Sequence, residues 1–219
     1  MTDEEYRVLE KIKNSIPVCY LADHADFALG IVTGNNKKFL SAENTEHLEM
    51  VLKGTDICKY HINPAKQYQR FEPEQFQQVA PLEIYRAPEK LLYRFISNQL
   101  VVAYDDRQML SLNSCNIVIP KIEGMQIKYI LAILNSSVSQ FVYQKEFHSV
   151  KVLRAHMERI PIPCAGKEVQ NEIIAMTEPL IHGMEKEAAE ACRKRLDGRI
   201  MELFRLSAEE QRIIRHALH

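Results

Sequence analysis

The sequence predicts an α+β fold: a mixed, strand-rich body with a packed central helix, followed by C-terminal helices. Short β-rich apolar runs separated by Gly, Asn, Asp and Pro fill residues 18–120, and the apolar period then changes to that of a helix. With 219 residues and 46% hydrophobic content, the chain can bury a substantial core.

The strand-rich part follows a short amphipathic segment. Apolar residues three apart in residues 3–13 predict a helix that ends before Pro17. The β-rich runs that come next are FALGIVT, LEIY, KLLYRFI, LVVAY and SCNIVIP. Each is short and bounded by turn residues, which is typical of strands.

Helical spacing dominates the rest of the chain. One apolar stripe runs through residues 127–142 and predicts the central helix. After IPIPCAG, apolar steps of mostly four residues predict C-terminal helices that are broken, with weak points at Gly183 and Gly198. The predicted division is therefore a lead-in at 1–17, a main domain at 18–164 and a helical segment at 165–219.

Composition leaves the function class open. The formal net charge is −1, so the chain as a whole neither favours nor excludes nucleic acid. Five scattered cysteines without a CxxC motif predict reduced thiols in a cytoplasmic protein. No apolar run approaches the roughly 18 residues of a membrane span, so no membrane partner is expected.

Motifs for nucleotide cofactors are missing. Gly30 and Gly34 stand too close for GxxxxGK[ST], and no GxGxxG is present. The tetrapeptide NPAK, residues 63–66, lacks the second proline and the aromatic residue of the NPPY-type motif of amino-methyltransferases. The sequence thus predicts no cofactor in this chain and leaves its status as an enzyme undecided.

Metal chemistry has a few candidate positions. Acidic and imidazole pairs occur as Asp23, His24 and Asp26, as Cys58 and His61, as Asp105 and Asp106, and as His148 and His156. None has a second pair at zinc-ligand spacing, so no metal site is expected. A magnesium-dependent nuclease that uses Asp23 and Asp26, or Asp105 and Asp106, remains a catalytic alternative.

The middle of the chain is mildly basic. Residues 84–160 contain these cations against six acidic residues: Arg86, Lys90, Arg94, Arg107, Lys121, Lys128, Lys145, Lys151, Arg154 and Arg159. By itself this count fits an ordinary solvated face.

Six segments in order resemble a known family. They are GIVTGNNKKFL, VLKGTDICKY, LLYRFISNQLVVAYDD, SLNSCNIVIP, YILAILNSSVSQF and HMERIPIP. Their succession is similar to the TaqI-like C-terminal specificity domain of adenine-N6 DNA methyltransferases and type IIG restriction-modification enzymes, and more distantly to type I restriction specificity subunits. The ending LDGRIMELFRLSAEEQRII is similar to the terminal segment of such proteins.

The resemblance implies a target recognition domain that binds double-stranded DNA. A catalytic methyltransferase domain, with or without a nuclease, would lie in the same or a partner chain and would bind S-adenosylmethionine. Missing catalytic motifs are expected of a piece of a longer polypeptide, whereas a chain that begins at Met1 would need a separate methylating partner. An assembly module that docks a methyltransferase or nuclease is the other alternative.

Residue chemistry then nominates DNA contacts. Long cations in loop-like segments suit phosphates: Lys37, Lys38, Lys59, Lys66, Arg70, Lys151 and Arg154. Amides suit adenine and guanidinium groups suit guanine, which nominates Asn35, Asn36, Gln67, Gln69, Arg86, Arg107 and Gln108 as base readers. Asn also favours turns, so Asn35 and Asn36 either contact DNA or only bend the chain.

Overall fold

A four-stranded antiparallel sheet with the order β2-β8-β5-β6 forms the centre of the protein. The computed structural model describes residues 1–147 and 149–218. In chain order the strands are β1 (Val18–Cys19), β2 (Ala25–Ala28), β3 (Glu49–Leu52), β4 (Tyr68–Gln69), β5 (Lys90–Arg94), β6 (Val102–Asp105), β7 (Leu110–Ser111), β8 (Cys115–Pro120) and β9 (Ile162–Pro163).

Helices contribute to the cores on both faces of this sheet. They are α1 (Asp3–Asn14), α2 (Asn36–Phe39), α3 (Leu82–Tyr85), α4 (Ile127–Asn135), α5 (Ser137–Glu146), α6 (Arg154–Met157), α7 (Lys167–His182), α8 (Lys186–Leu203) and α9 (Ala208–Ala217). The predicted α+β class is confirmed. The division at residues 17 and 164 stays a prediction.

Both faces of the central sheet are buried, which explains its apolar strands. Leu91 and Tyr93 pack into the larger core, which α4, α5 and the C-terminal helices complete. Leu92, between them, points to the smaller core instead. That core also takes Val51 and Leu110 from a second sheet, β4-β3-β7, in which β3 and β7 run parallel. The period of two thus fills two cores from one strand.

The predicted central helix is two helices. Ser136 breaks it with an extended backbone (φ −70°, ψ 159°), and its hydroxyl accepts a hydrogen bond from the Ser139 amide. The Ser136 and Ser139 hydroxyls both donate to the Ile133 carbonyl, at 2.7 and 2.6 Å, which satisfies the buried end of α4. A local cap therefore overrides the continuous apolar stripe.

The β-rich run LEIY, for which the sequence predicts a strand, forms the single helical turn α3. Pro81 stands at its N-terminal cap, and the Arg86 amide donates to the Leu82 carbonyl at 3.0 Å. The buried Tyr85 hydroxyl holds the turn in place, because it accepts from the Ala80 amide and donates to the Leu29 carbonyl. Three apolar residues in a run of four are too few to distinguish strand from helix by period.

Gly183 ends a helix, whereas Gly198 lies inside one. Gly183 ends α7 with φ +86°, as a predicted weak point should. Gly198 lies inside the continuous helix α8, so the predicted break there is wrong. Packing of α8 on α7 and α5 outweighs the low helix propensity of one glycine, which costs about 1 kcal/mol.

We expect Gly198→Ala to raise the free energy of unfolding by about 0.5–1 kcal/mol, because a Cβ at this position meets nothing within 4 Å and alanine restricts the unfolded chain. Gly183→Ala is the matched control and should destabilise, since its φ is positive. Urea unfolding of both variants checks this. Equal changes in both would contradict the assignment of Gly198 to a helix interior.

Asn135 joins the end of α4 to the edge strand β6. Its side-chain oxygen accepts from the Val102 amide at 3.1 Å, and its side-chain nitrogen donates to the Val102 carbonyl at 2.8 Å. The amide thereby completes hydrogen bonds that a further strand would otherwise make. The fold near residue 135 depends on this pair.

Asn135→Ala should therefore lower the free energy of unfolding by about 2–3 kcal/mol, because it leaves the buried Val102 amide without its acceptor. The exposed Asn44, which has no side-chain hydrogen bond among the described residues, supplies the control variant Asn44→Ala, with an expected change within about 0.5 kcal/mol. Denaturant titration of both proteins measures the difference. A loss as small as the control's would show that Val102 finds another partner.

Candidate nucleic-acid interface

Asn35 and Asn36 form the turn that leads into α2. The Asn35 side chain caps this short helix by accepting from the Lys38 amide at 3.3 Å. The Asn36 oxygen accepts from the Thr33 hydroxyl at 2.6 Å. Both asparagines thus have local roles in the turn, while α2 leaves their other polar atoms exposed. Turn formation and DNA contact are compatible at this position.

Two cations accompany these asparagines on the surface. Lys37 is exposed and has no acidic partner among residues 1–147 and 149–218. The Lys38 ammonium donates to the Gln75 side chain at 3.2 Å and lies 4.6 Å from the Phe39 ring centroid. Neither lysine is neutralised by a carboxylate, so both are available to phosphates.

Gly30 and Gly34 do not cradle a phosphate. A Cβ on Gly30 would stand 2.2 Å from the Leu112 carbonyl oxygen, so the position needs glycine for close backbone approach. Its amide donates to the Asn116 side chain at 3.2 Å and is not free for a ligand. Gly34 has φ +76° and only turns the chain. These residues do not fit an S-adenosylmethionine site.

The β4 segment contributes both surface and interior positions. Lys66 is exposed, and Arg70 lies 3.9 Å from the Glu72 carboxylate at an exposed site. Gln69 is fully buried, opposite Glu49 in the strand pair. The two side-chain polar atoms of Gln69, and the Gln67 side-chain oxygen, have no hydrogen-bond partner within the described chain. In this arrangement Gln69 does not reach a ligand at the surface.

Arg86 is held by the protein itself. Its guanidinium contacts both oxygens of Glu49, at 2.6 and 2.8 Å, and the Gln108 carbonyl at 2.7 Å. Arg107 and Gln108 are exposed in the turn between β6 and β7, where Gln108 has φ +56°. The contacts of Arg86 therefore shape this turn and leave Arg107 as its free cation.

Lys59 serves the interior. Its ammonium donates to the Asn135 carbonyl at 3.0 Å, and burial lowers its pKa. The side chain of Asp197, which accepts from the Ser137 amide at 2.7 Å, opposes this shift. Two segments that the family resemblance singled out, LNSS and LDGR, thus touch at one polar junction. The position of Lys59 does not favour its predicted phosphate contact.

Lys151 and Arg154 are exposed cations that lie near the aromatic rings of Phe95 and Phe27. Ile96 and Lys151 pair as an antiparallel bridge, and Lys151 lies 5.9 Å from the Phe95 ring. Arg154 forms an ion pair with Glu158 at 2.6 Å and covers the Phe27 ring at 5.2 Å. Lys151 is consequently the freer of the two cations.

Most of the basic excess between residues 84 and 160 is neutralised within the fold. Seven of its ten cations have an acidic partner within 4 Å: Arg86, Lys90, Lys121, Lys128, Lys145, Arg154 and Arg159. Arg94 donates to the carbonyls of Gly54 and Ile57. Arg107 and Lys151 remain, so the count of charges overstated the basic surface.

Two of the acidic residues considered for metal chemistry, Asp105 and Asp26, form ion pairs within the protein. Asp105 is fully buried, pairs with Lys90 at 2.5 Å and accepts from the Arg107 and Met109 amides. Asp26 pairs with Lys121 at 2.5 Å. His148 lies outside the described residues. Within residues 1–147 and 149–218, no three metal-ligating side chains come together.

Lys90→Met should destabilise the protein by about 3–5 kcal/mol, since it leaves the Asp105 carboxylate buried without its counter-ion. The control Lys121→Met removes the partner of the partly exposed Asp26 and should cost no more than about 1 kcal/mol. Thermal and urea unfolding compare the two. Similar losses in both variants would contradict a buried pair at Lys90.

Amides that the sequence analysis did not nominate lie next to the Asn35–Asn36 turn. Gln77 and Asn113 line one surface depression of about 290 Å³ together with Asn36, Thr33, Gly34 and Val32. Residues 31–32, 78 and 111–113 are connected by backbone hydrogen bonds, which brings these distant segments together. No local sequence signal marked Gln77 or Asn113.

The comparison with protein families decides the assignment. The TaqI-like C-terminal specificity domain matches residues 49–162. The chain belongs to this family. The resemblance and the predicted function, a DNA target recognition module, are thereby confirmed. A comparison with curated proteins gave no match.

Solved structures share the fold of this specificity domain. One from a study of complex assembly and conformational transition in the type I restriction-modification system has TM-score 0.51 and 15% identity, covering 98% of this chain and 51% of that one. The Type IIL restriction-modification enzyme MmeI in complex with DNA has TM-score 0.58 and 10% identity, covering 87% and 34%. The chain thus spans about half of the first of these structures and about a third of MmeI.

Among the helices of residues 1–147 and 149–218, none is long and apolar enough to cross a membrane.

Proposed function

We propose that this specificity domain reads a target sequence on double-stranded DNA and positions that site for adenine-N6 methylation by a catalytic domain in the same or a partner chain. The observation that carries the proposal is the family match over residues 49–162. Specificity domains of this kind supply side chains to base edges, while the catalytic domain acts on the target base.

Loop chemistry on a rigid scaffold supports this proposal. The free cations Lys37, Lys38, Lys66 and Lys151 are exposed and suit phosphate contacts, and the exposed Arg107 suits a guanine edge. Arg70 joins them at its exposed site beside Glu72. The turn amides Asn35, Asn36 and Gln108 are exposed and suit base edges. These residues lie in turns and loops next to the strands, and loops on such scaffolds commonly carry recognition.

The cofactor belongs to the catalytic partner in this proposal. S-adenosylmethionine would bind there, because Gly30 and Gly34 of this chain form close packing and a bend instead of a cofactor turn. The matched structures are about two or three times longer than the aligned part, which leaves room for such a partner domain. We place the complex in the cytoplasm.

Duplex binding should weaken with added salt, since cations that contact phosphates release counterions. The slope of log K, the logarithm of the association constant, against log salt concentration has a magnitude of about 0.9 per phosphate contact. Because Lys37→Ala/Lys38→Ala removes two such contacts, it should reduce this magnitude by about 1.8. Fluorescence anisotropy with a labelled random-sequence duplex at several salt concentrations measures the slope.

Lys186→Ala/Lys194→Ala removes the same charge from exposed positions of α8 and serves as the control. Its slope should equal that of the unmodified protein. If both double variants lower the slope equally, only net charge matters and the α2 turn has no special part in DNA binding. If the unmodified protein shows no salt-dependent duplex binding, the proposed function is wrong.

A further inference from the structure

Three side-chain amides from three distant segments converge on one depression. Asn36 comes from the start of α2, Gln77 from the loop that follows Pro73–Gln75, and Asn113 from the turn between β7 and β8. We call these three residues the amide cluster. The depression of about 290 Å³ is completed by Val32, Thr33 and Gly34.

Backbone hydrogen bonds fix the three segments around residues 31 and 32. The Val32 and Gln78 amides donate to each other's carbonyls at 2.8 and 3.1 Å. The Ile31 amide donates to the Ser111 carbonyl at 2.7 Å, and the Asn113 amide to the Ile31 carbonyl at 3.1 Å. Because these segments are already held by hydrogen bonds, their backbone loses little further conformational freedom when a ligand binds.

Hydrogen-bonding capacity remains free at the surface. Asn36 uses its oxygen for the Thr33 hydroxyl, which leaves its NH₂ group to donate outward. The exposed side chains of Gln77 and Asn113 make no hydrogen bond to the described part of the protein. A ligand in the depression would therefore meet both donors and acceptors.

The composition of the lining selects the ligand. An asparagine or glutamine amide pairs with N6 and N7 of adenine, whereas guanine is met by arginine or lysine. No guanidinium, ammonium or carboxylate group lines the depression. The lysines of α2 stand next to it and suit the flanking phosphates.

From this arrangement we infer that the amide cluster reads A·T base pairs in the major groove of the target site, with Gln77 and Asn113 as specificity-determining residues. This inference rests on the proposed function. It assigns the base contacts of this surface to neutral amides, and it assigns the nearby lysines to the phosphates of the DNA backbone.

Selection of the full-length protein on a randomised duplex library, followed by sequencing, tests the inference. Gln77→Ala and Asn113→Ala should each lower the preference at an A·T position of the selected motif by about tenfold, while the other positions keep theirs. Asn171→Ala, at an exposed amide on α7, is the control and should leave the motif unchanged. Circular dichroism and urea unfolding of each variant confirm that the fold is kept.

The outcomes of this experiment distinguish failure of the inference about the amide cluster from failure of the proposed function. An unchanged motif in the Gln77 and Asn113 variants, or a change confined to G·C positions, overturns the inference and leaves the proposed function intact. Uniform weakening at all positions also overturns it, because phosphate contacts act in that way. If the unmodified protein selects no motif, the proposed function fails and the inference with it.

Discussion

The contact between Asn135 and Val102 is the constraint on which the arrangement of the sheet and helices depends. Strand β6 lies at the edge of the central sheet, and its backbone polar groups are buried. Buried amides and carbonyls need partners, and here the Asn135 side chain accepts from the Val102 amide and donates, together with the Tyr60 amide, to the Val102 carbonyl. Helix α4 is thereby fixed against the sheet by polar geometry as well as by apolar packing. The following Ser136 then redirects the chain into α5.

The same junction brings in the C-terminal helices. Asp197 on α8 accepts from the Ser137 amide, at the first turn of α5, and Lys59 donates to the Asn135 carbonyl. One end of α4 thus connects the sheet, the loop around residue 59 and α8. The loops at 31–36 and 111–113 are held separately, by backbone hydrogen bonds to each other and to residue 78.

Periodicity predicted the elements whose apolar residues repeat, and it missed the features that side-chain hydrogen bonds or tertiary packing determine. The helix at 3–13 and the strand runs at KLLYRFI and SCNIVIP were predictable because their apolar residues repeat. The break at Ser136 needed its hydroxyl, and α3 needed the tertiary hydrogen bonds of Tyr85. Gly198 stayed helical through packing.

For the candidate site, residue type indicated which side chains suit DNA contacts, but position in the sequence did not indicate where the fold places them. The Asn35–Lys38 segment was nominated by type and does lie exposed. Gln69 was nominated in the same way, but strand alternation turns it inward opposite Glu49. Gln77 and Asn113 join Asn36 only through backbone pairing around Ile31 and Val32. No spacing rule in a single sequence contains that proximity.

Charge distribution separates affinity from specificity in this domain. Because acidic partners neutralise most cations of residues 84–160, few free charges of that stretch remain for phosphates, and electrostatic affinity scales with the number of phosphate contacts. A neutral amide discriminates between base pairs without a charge, because this discrimination comes from the geometry of its hydrogen-bond donor and acceptor. In the proposed complex, a catalytic domain that adds phosphate contacts would raise the affinity for all sequences equally, and the sequence preference would still be set by the polar surface of this domain.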